Sequence, residues 1–188
     1  MDVYEKCPEL KNDRLMIRMV EKKDCADLLK VYNDPLAVPL FNSDNCNGDD
    51  FHYQTMERMM QAIDFWIFSY THRYFVRWSI IDRQTGEAIG TVELFQRKAL
   101  DGTSMTGLLR LDLRSDYERA DALENLLNMI MEPACEWFDC TSITTKAVPK
   151  AEIRRTVLTR LGFIQSAVPL LGNNGTCYDD YFVCCKRA

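Results

Sequence analysis

No stretch of uninterrupted apolar residues in this chain approaches the length needed to cross a bilayer, which argues against a membrane-spanning protein. The opening residues, MDVYEKCPEL, lack the basic-then-apolar pattern of a secretory leader, so a cytoplasmic protein is expected. A basic stripe is missing too. With 23 Lys and Arg against 28 Asp and Glu, a net charge of −5 and a pI near 5.1, nucleic acid and anionic membrane surfaces are not expected as partners. Histidine is scarce, with two residues, and none of the eight cysteines makes a C-x-x-C pair. No metal site is expected, and in a long chain rich in ordinary core residues the cysteines read as reduced thiols. There is no internal repeat and no low-complexity linker. What is present is a 47% apolar, 11% aromatic composition, enough for one buried core, so residues 1–188 are expected to form a single domain.

The chain is organised around Leu109 to Phe138. Leu109, Leu111 and Leu113 alternate with Arg110, Asp112 and Arg114 at the period of a half-buried strand. Apolar residues then recur at Ala122, Leu123, Leu126, Leu127, Ile130, Met131, Ala134 and Phe138, the spacing of a helix face. A strand running through a short turn into a helix brings free N–H groups and the positive end of the helix dipole to one point, which suits a pyrophosphate. Ser115 and Glu118 also form the pattern of a capping box, which would satisfy those N–H groups from within. Pro133 should kink or shorten the helix.

Around this unit the pattern predicts a strand over Leu15 to Val20, a helix from Asp24 to Tyr32, and a polar loop from Leu36 to Asp50, read as mobile. A helical stretch from Phe51 to Tyr70 follows, rich in Met and aromatics; it reads as core packing, with a substrate-groove wall as the functional alternative. Strands over Tyr74 to Asp82 and Ala88 to Gln96 make a hairpin, and Gly107 to Arg114 completes a meander. Ser142 to Val148 closes a parallel crossover, Lys150 to Leu161 is a helix ended by Gly162, and Phe163 to Leu171 with Tyr178 to Cys185 forms a closing hairpin. The expected fold is therefore α+β: a mixed sheet of about seven strands, antiparallel first and then parallel at the crossover, flanked by about four helices.

This order resembles the GNAT superfamily of acetyl-CoA-dependent N-acyltransferases. NDRLMIRMVEKKDCADLLKVYNDP looks like the opening of the branch related to ribosomal-protein alanine acetyltransferases, WSIIDRQTGEAIGTVELF like its central hairpin, and RTVLTRLGFIQ like the end of its last helix. LDLRSDYERADALENLL stands where that branch carries its strand and pyrophosphate loop. The resemblance implies acetyl-CoA as co-substrate. Backbone contacts from Leu111, Leu113 and Arg114 would hold pantetheine, and Arg119, Ala120, Asp121, Ala122, Leu123 and Arg154 would surround the phosphates. The motif is altered: Asp121 stands where the loop has a glycine, Leu123 where it has a small residue, and in the last helix Ala151, Arg154 and Leu158 replace the family's asparagine, serine and tyrosine. Asp121 adds bulk and negative charge facing a negative ligand.

The chemistry implied is direct transfer from the thioester to a primary amine, on a small molecule or a protein amino terminus, needing a base, an oxyanion donor and a proton route to the thiolate. Strand patterning offers Glu93 and Asp112 as bases, and Tyr178 or Tyr181 as the acid from the closing hairpin. The motif loss keeps a second class open, a non-catalytic GNAT-fold binding or assembly protein without CoA. A homodimer also stays open.

Overall fold

The structure is a computed structural model that describes residues 2–100, 102 and 104–185. Its strands are β1 (Leu10–Lys11), β2 (Leu15–Met19), β3 (Val76–Asp82), β4 (Ala88–Lys98), β5 (Met105–Leu113), β6 (Ser142–Lys146), β7 (Ile164–Gln165), β8 (Leu170–Leu171), β9 (Cys177–Tyr178) and β10 (Tyr181–Cys185). Its helices are α1 (Cys25–Tyr32), α2 (Met56–Thr71), α3 (Ala120–Trp137) and α4 (Glu152–Arg160). Eight strands share one sheet in the order β1-β2-β3-β4-β5-β6-β10-β7, and β8 pairs with β9 apart from it. Among the described strands only β5 and β6 are parallel, from Thr106 opposite Ser142 to Leu109 opposite Thr145, so the meander and the crossover through α3 are as the sequence predicts. Among the described residues no helix is long and apolar enough to cross a membrane.

Alternation along the strands divides the interior in two. Val76, Trp78, Ile80, Val92, Leu94, Leu109, Leu111 and Leu113 meet α3 and α4 on one face, against Leu123, Leu126, Leu127, Ile130 and Val157. Each such fully buried side chain contributes about 1.5–3 kcal/mol. On the other face α1 and α2 build a second core from Leu28, Val31, Tyr32, Met59, Ile63 and Trp66, joined by Phe41, Phe51 and Tyr53 from the connecting loop. Ile80 and Ile81, consecutive on β3, face opposite cores by ordinary alternation, and a register shift beside them leaves Ile89 as the extra residue on β4.

Several local expectations change. The helix expected from Phe51 begins at Met56, because Thr55 caps it by accepting the Arg58 N–H (3.2 Å), which leaves Phe51, at a bend with φ of 61°, and Tyr53 in the connecting chain, plugging the second core. Ser115 and Glu118 do not form a capping box. Ser115–Tyr117 is a separate 3-10 turn, and α3 starts later, with Arg119 at its N-cap making no side-chain cap. Pro133 does not shorten α3, which runs on to Trp137 because Ala134 and Cys135 continue its buried face. The closing hairpin breaks into two short pairings, β7 with β10 and β8 with β9. Gly162 follows α4 with φ of 91°, the left-handed position that favours glycine.

Candidate active site

β5 and β6 part company beyond Leu109 and Thr145, which opens a split toward the start of α3. Leu111 turns its backbone carbonyl to this split, and by the alternation of a strand Leu113 does so as well, while both side chains are buried in the core. At the end of the split the N–H groups of Ala120, Asp121 and Ala122 have no partner among the described residues, and a cavity of about 600 Å³ between this helix end and the turns carrying Arg14 and Arg83, lined by no residue of β6 or α4, reaches Arg119, Asp121 and Asn125. Backbone of this kind suits an acyl-CoA: an exposed strand edge for the amides of pantetheine and a helix end for its phosphates.

The side chains contest that fit. Arg154, 3% exposed, lies in the split: its Nη1 donates to the Leu111 carbonyl (2.8 Å), while Nε and Nη2 donate to the two oxygens of Glu118 (2.7 and 2.8 Å). The segment after α1 presses on the same place. Leu40 offers its carbonyl to Arg154 (3.5 Å), and Asp34 accepts the Ser115 N–H (2.9 Å). Asp121 is exposed and answered by Arg14 (3.3 Å) and Arg119 (3.5 Å), so its charge at the helix end is partly compensated. Leu123 is wholly buried and its N–H bonds back to the Arg119 carbonyl (2.9 Å), so it serves the core rather than the cavity. Arg114 is tied to Asp116 (2.7 Å) and Glu87 (3.3 Å).

Between the sheet and α1–α2 lies an ion network that alternation alone would have turned to solvent. Arg77 and Glu93 are 0% and 1% exposed, Asp112 1% and Arg110 8%. Arg77 donates to Glu93 (2.7 Å), Asp112 (3.1 Å) and the Tyr32 hydroxyl (2.8 Å), and Arg110 donates to Glu93 (2.6 Å). Burial works against ionisation of Glu93, but its two arginines outweigh it and hold the carboxyl below its usual range. At Asp112 burial wins over Arg77 and the Tyr32 hydroxyl and pushes the carboxyl up, and its Oδ1 has no partner among the described residues. Glu93 is thus an ion-pair member rather than a free base. Asp112, behind Tyr32 and Thr91, does not line the cavity beside Glu93.

The loop expected to be mobile is tied across the mouth of the split. Asp44 accepts from Lys146 (2.6 Å) and the Tyr181 hydroxyl (3.1 Å) through its carboxylate, and from Arg110 (2.8 Å) through its carbonyl. Tyr181 stands opposite Lys146 in the β10–β6 register, next to where β6 leaves β5, and burial raises its phenol well above the usual value. Tyr178 is farther out, its hydroxyl accepting the Asn45 N–H (3.2 Å). Sequence reasoning missed Asp44, Lys146 and Asn42, whose side-chain amide donates to the Tyr181 hydroxyl (3.3 Å). The available signal was a set of polar residues in a long loop; their convergence with β6 and β10 is a product of tertiary packing.

A family model described as the acetyltransferase (GNAT) domain matches residues 14–164. Among solved structures, the chain is similar to a ribosomal-protein-S5-alanine acetyltransferase from Vibrio fischeri, with a TM-score of 0.68, 16% identity and 94% of each chain covered. It is also similar to RimJ from Mycobacterium smegmatis, solved with CoA-disulfide, with a TM-score of 0.65, 14% identity, and 94% of this chain and 84% of that one covered. A spermidine N-acetyltransferase from Vibrio cholerae gives a TM-score of 0.63 at 13% identity, covering 93% of this chain and 95% of that one. No curated protein sequence matches. At these identities the structural likeness speaks for the fold, and the family match, which spans most of the chain and includes the split strands and the start of α3, carries the assignment: this protein belongs to the GNAT acetyltransferase family.

Proposed function

We propose that this protein transfers an acyl group from acyl-CoA to a primary amine by direct attack. The observation that carries the reading is the split of β5 from β6 beside an α3 amino terminus whose first N–H groups are unpartnered among the described residues. Leu111 and Leu113 would hold the pantetheine arm by backbone, with Ala120, Asp121 and Ala122 binding phosphate oxygens through their N–H groups. The neutral amine nitrogen bonds to the thioester carbon, the carbon–sulfur bond breaks, the nitrogen gives up one proton to water, and the departing thiolate takes one. Tyr181, kept protonated by burial and resting on Asp44 at the mouth of the split, is the group best placed to donate that proton. A cytoplasmic location agrees with dependence on acyl-CoA.

A second reading, a non-catalytic binding protein of the same fold, is favoured by one specific observation, the Arg154–Glu118 pair that occupies the Leu111 carbonyl. Two measurements separate the readings: calorimetric titration with acetyl-CoA, and thiol release in the presence of a panel of primary amines. Heat of binding and amine-dependent thiol release are expected. No heat and no thiol release, in the wild type and in Arg154→Ala alike, would establish the binding protein instead.

A further inference from the structure

A second cavity, of about 330 Å³, lies on the α1–α2 side of the sheet. Its walls include Phe51, Tyr53 and Trp66, and its charged lining includes Arg77, Glu93 and Arg110. Arg77 lies 4.3 Å from the Trp66 ring centre and 5.4 Å from that of Phe51, so the aromatic wall and the cationic floor are one surface. Glu93 is shared between the two arginines, with Oε2 accepting from Arg77 and Oε1 from Arg110 (2.6 Å). Arg77 is also paired behind the floor with Asp112 (3.1 Å), so Arg110 is the guanidinium here with donor capacity left over. The other pair at the cavity, Arg58 with Asp49, is balanced.

Arg110 supplies the specific donor. Its Nη1 is used by Glu93 and its Nη2 by the Asp44 carbonyl, but its Nε is buried and has no partner among the described residues. A buried N–H left without an acceptor is unfavourable, and a ligand oxygen would relieve it. Arg110 also borders a neighbouring cavity of about 320 Å³ on the side of Phe95 and Tyr181, so it stands between the aromatic chamber and the mouth of the split.

We infer that the acceptor amine is a free α-amino acid with an aromatic or large apolar side chain, its carboxylate against Arg110 and its side chain among Phe51, Tyr53 and Trp66. The inference rests on the acyl-transfer reading for the amine and on this cavity for the rest. A polyamine has no oxygen to accept from the Arg110 Nε–H. A peptide amino terminus offers an amide where the free amino acid offers a full negative charge, and a charged acceptor forms the stronger bond with a guanidinium.

The test uses the whole protein without CoA, so it stands apart from the transfer assay. Binding of phenylalanine, phenylalanine amide and spermidine is measured by calorimetry and thermal shift. Phenylalanine should bind at least tenfold more tightly than its amide, and spermidine should not compete with it. Arg110→Lys keeps a charge for Glu93 but removes the Nε–H and should abolish the preference over the amide. If that variant does not fold, Phe65→Ala, on a half-exposed residue of α2 lining the same cavity, should weaken phenylalanine binding severalfold in a stable protein. Equal binding of the amide, no binding of phenylalanine, or a preference that survives in folded Arg110→Lys would each overturn the inference. Thiol release with spermidine or a peptide but not with phenylalanine would overturn it while leaving acyl transfer standing. Phenylalanine binding without thiol release for any amine would leave an amino-acid site in this cavity but overturn its role as acceptor site together with acyl transfer.

Discussion

Replacing Arg154 by alanine should weaken the fold and strengthen acetyl-CoA binding in the same protein. The guanidinium makes three short bonds, to both oxygens of Glu118 (2.7 and 2.8 Å) and to the Leu111 carbonyl (2.8 Å), with the two side chains 3% and 9% exposed. Removing one partner of a buried ion pair costs about 3–5 kcal/mol, because the other is left charged and unanswered. In a chain of this size each kcal/mol moves the melting temperature by about 2–4 °C, so a fall of about 6–20 °C is expected. The binding effect has the opposite sign. To seat a pantetheine arm, the wild type must surrender the charge-assisted bond at Leu111, worth about 1.5–3 kcal/mol. Alanine removes that competitor, which tightens acetyl-CoA binding about ten- to hundredfold. The double variant Glu118→Ala/Arg154→Ala should recover part of the lost stability, since neither charge is then stranded. Thermal melts followed by circular dichroism and calorimetry with acetyl-CoA read both quantities. A folded Arg154→Ala with wild-type affinity would refute the idea that this side chain closes the split, and an unchanged melting temperature would refute the cost assigned to the buried pair.

Two further outcomes test the framework around the site. A methyl at Gly90 would meet the Asp112 carbonyl at 2.3 Å and the Leu113 side chain at 2.9 Å, so Gly90→Ala should destabilise by about 1–3 kcal/mol through forced separation of β4 from β5; a melt superimposable on the wild type would count against that register. Asp24 is buried, which raises its pKa, but bonds from Arg18 (2.8 and 2.7 Å), Ser79 (2.7 Å) and the Glu21 N–H (3.0 Å) outweigh burial and leave it lowered. A depressed carboxyl stabilises fully above its unfolded pKa and loses that contribution as pH falls through the folded one. Asp24→Asn should therefore cost about 3–5 kcal/mol at neutral pH, and the gap to wild type should narrow below about pH 4. A gap of equal size at pH 7 and pH 3 would show that the charge is not what Asp24 contributes.

The order of strands and helices, the meander, the crossover and the core faces of β5 and α3 were legible in the sequence, since each is a local period: Leu109, Leu111 and Leu113 at two, Leu123, Leu126, Leu127 and Ile130 at three to four. The altered phosphate loop was legible for the same reason, as a run of neighbouring residues. Boundaries were less so. Thr55 against Phe51 and Arg119 against Ser115 each depended on which of two adjacent caps the packed chain adopts. What tertiary structure alone decided is the fate of the polar residues. Alternation assigned Glu93, Arg110 and Asp112 to the other face of the sheet from Leu109 and Leu111, and nothing in that period says whether the face meets water or a second layer. Here α1 and α2 cover it, and Arg77 and Arg110 answer Glu93 from the positions directly opposite it on β3 and β5. Arg154 differs from an ordinary exposed helix arginine only because β5 and β6 diverge in front of it and Glu118 stands across the gap. A charge is worth little at a surface and several kcal/mol when buried with one partner, and burial is set by the whole fold rather than by its neighbours in the chain.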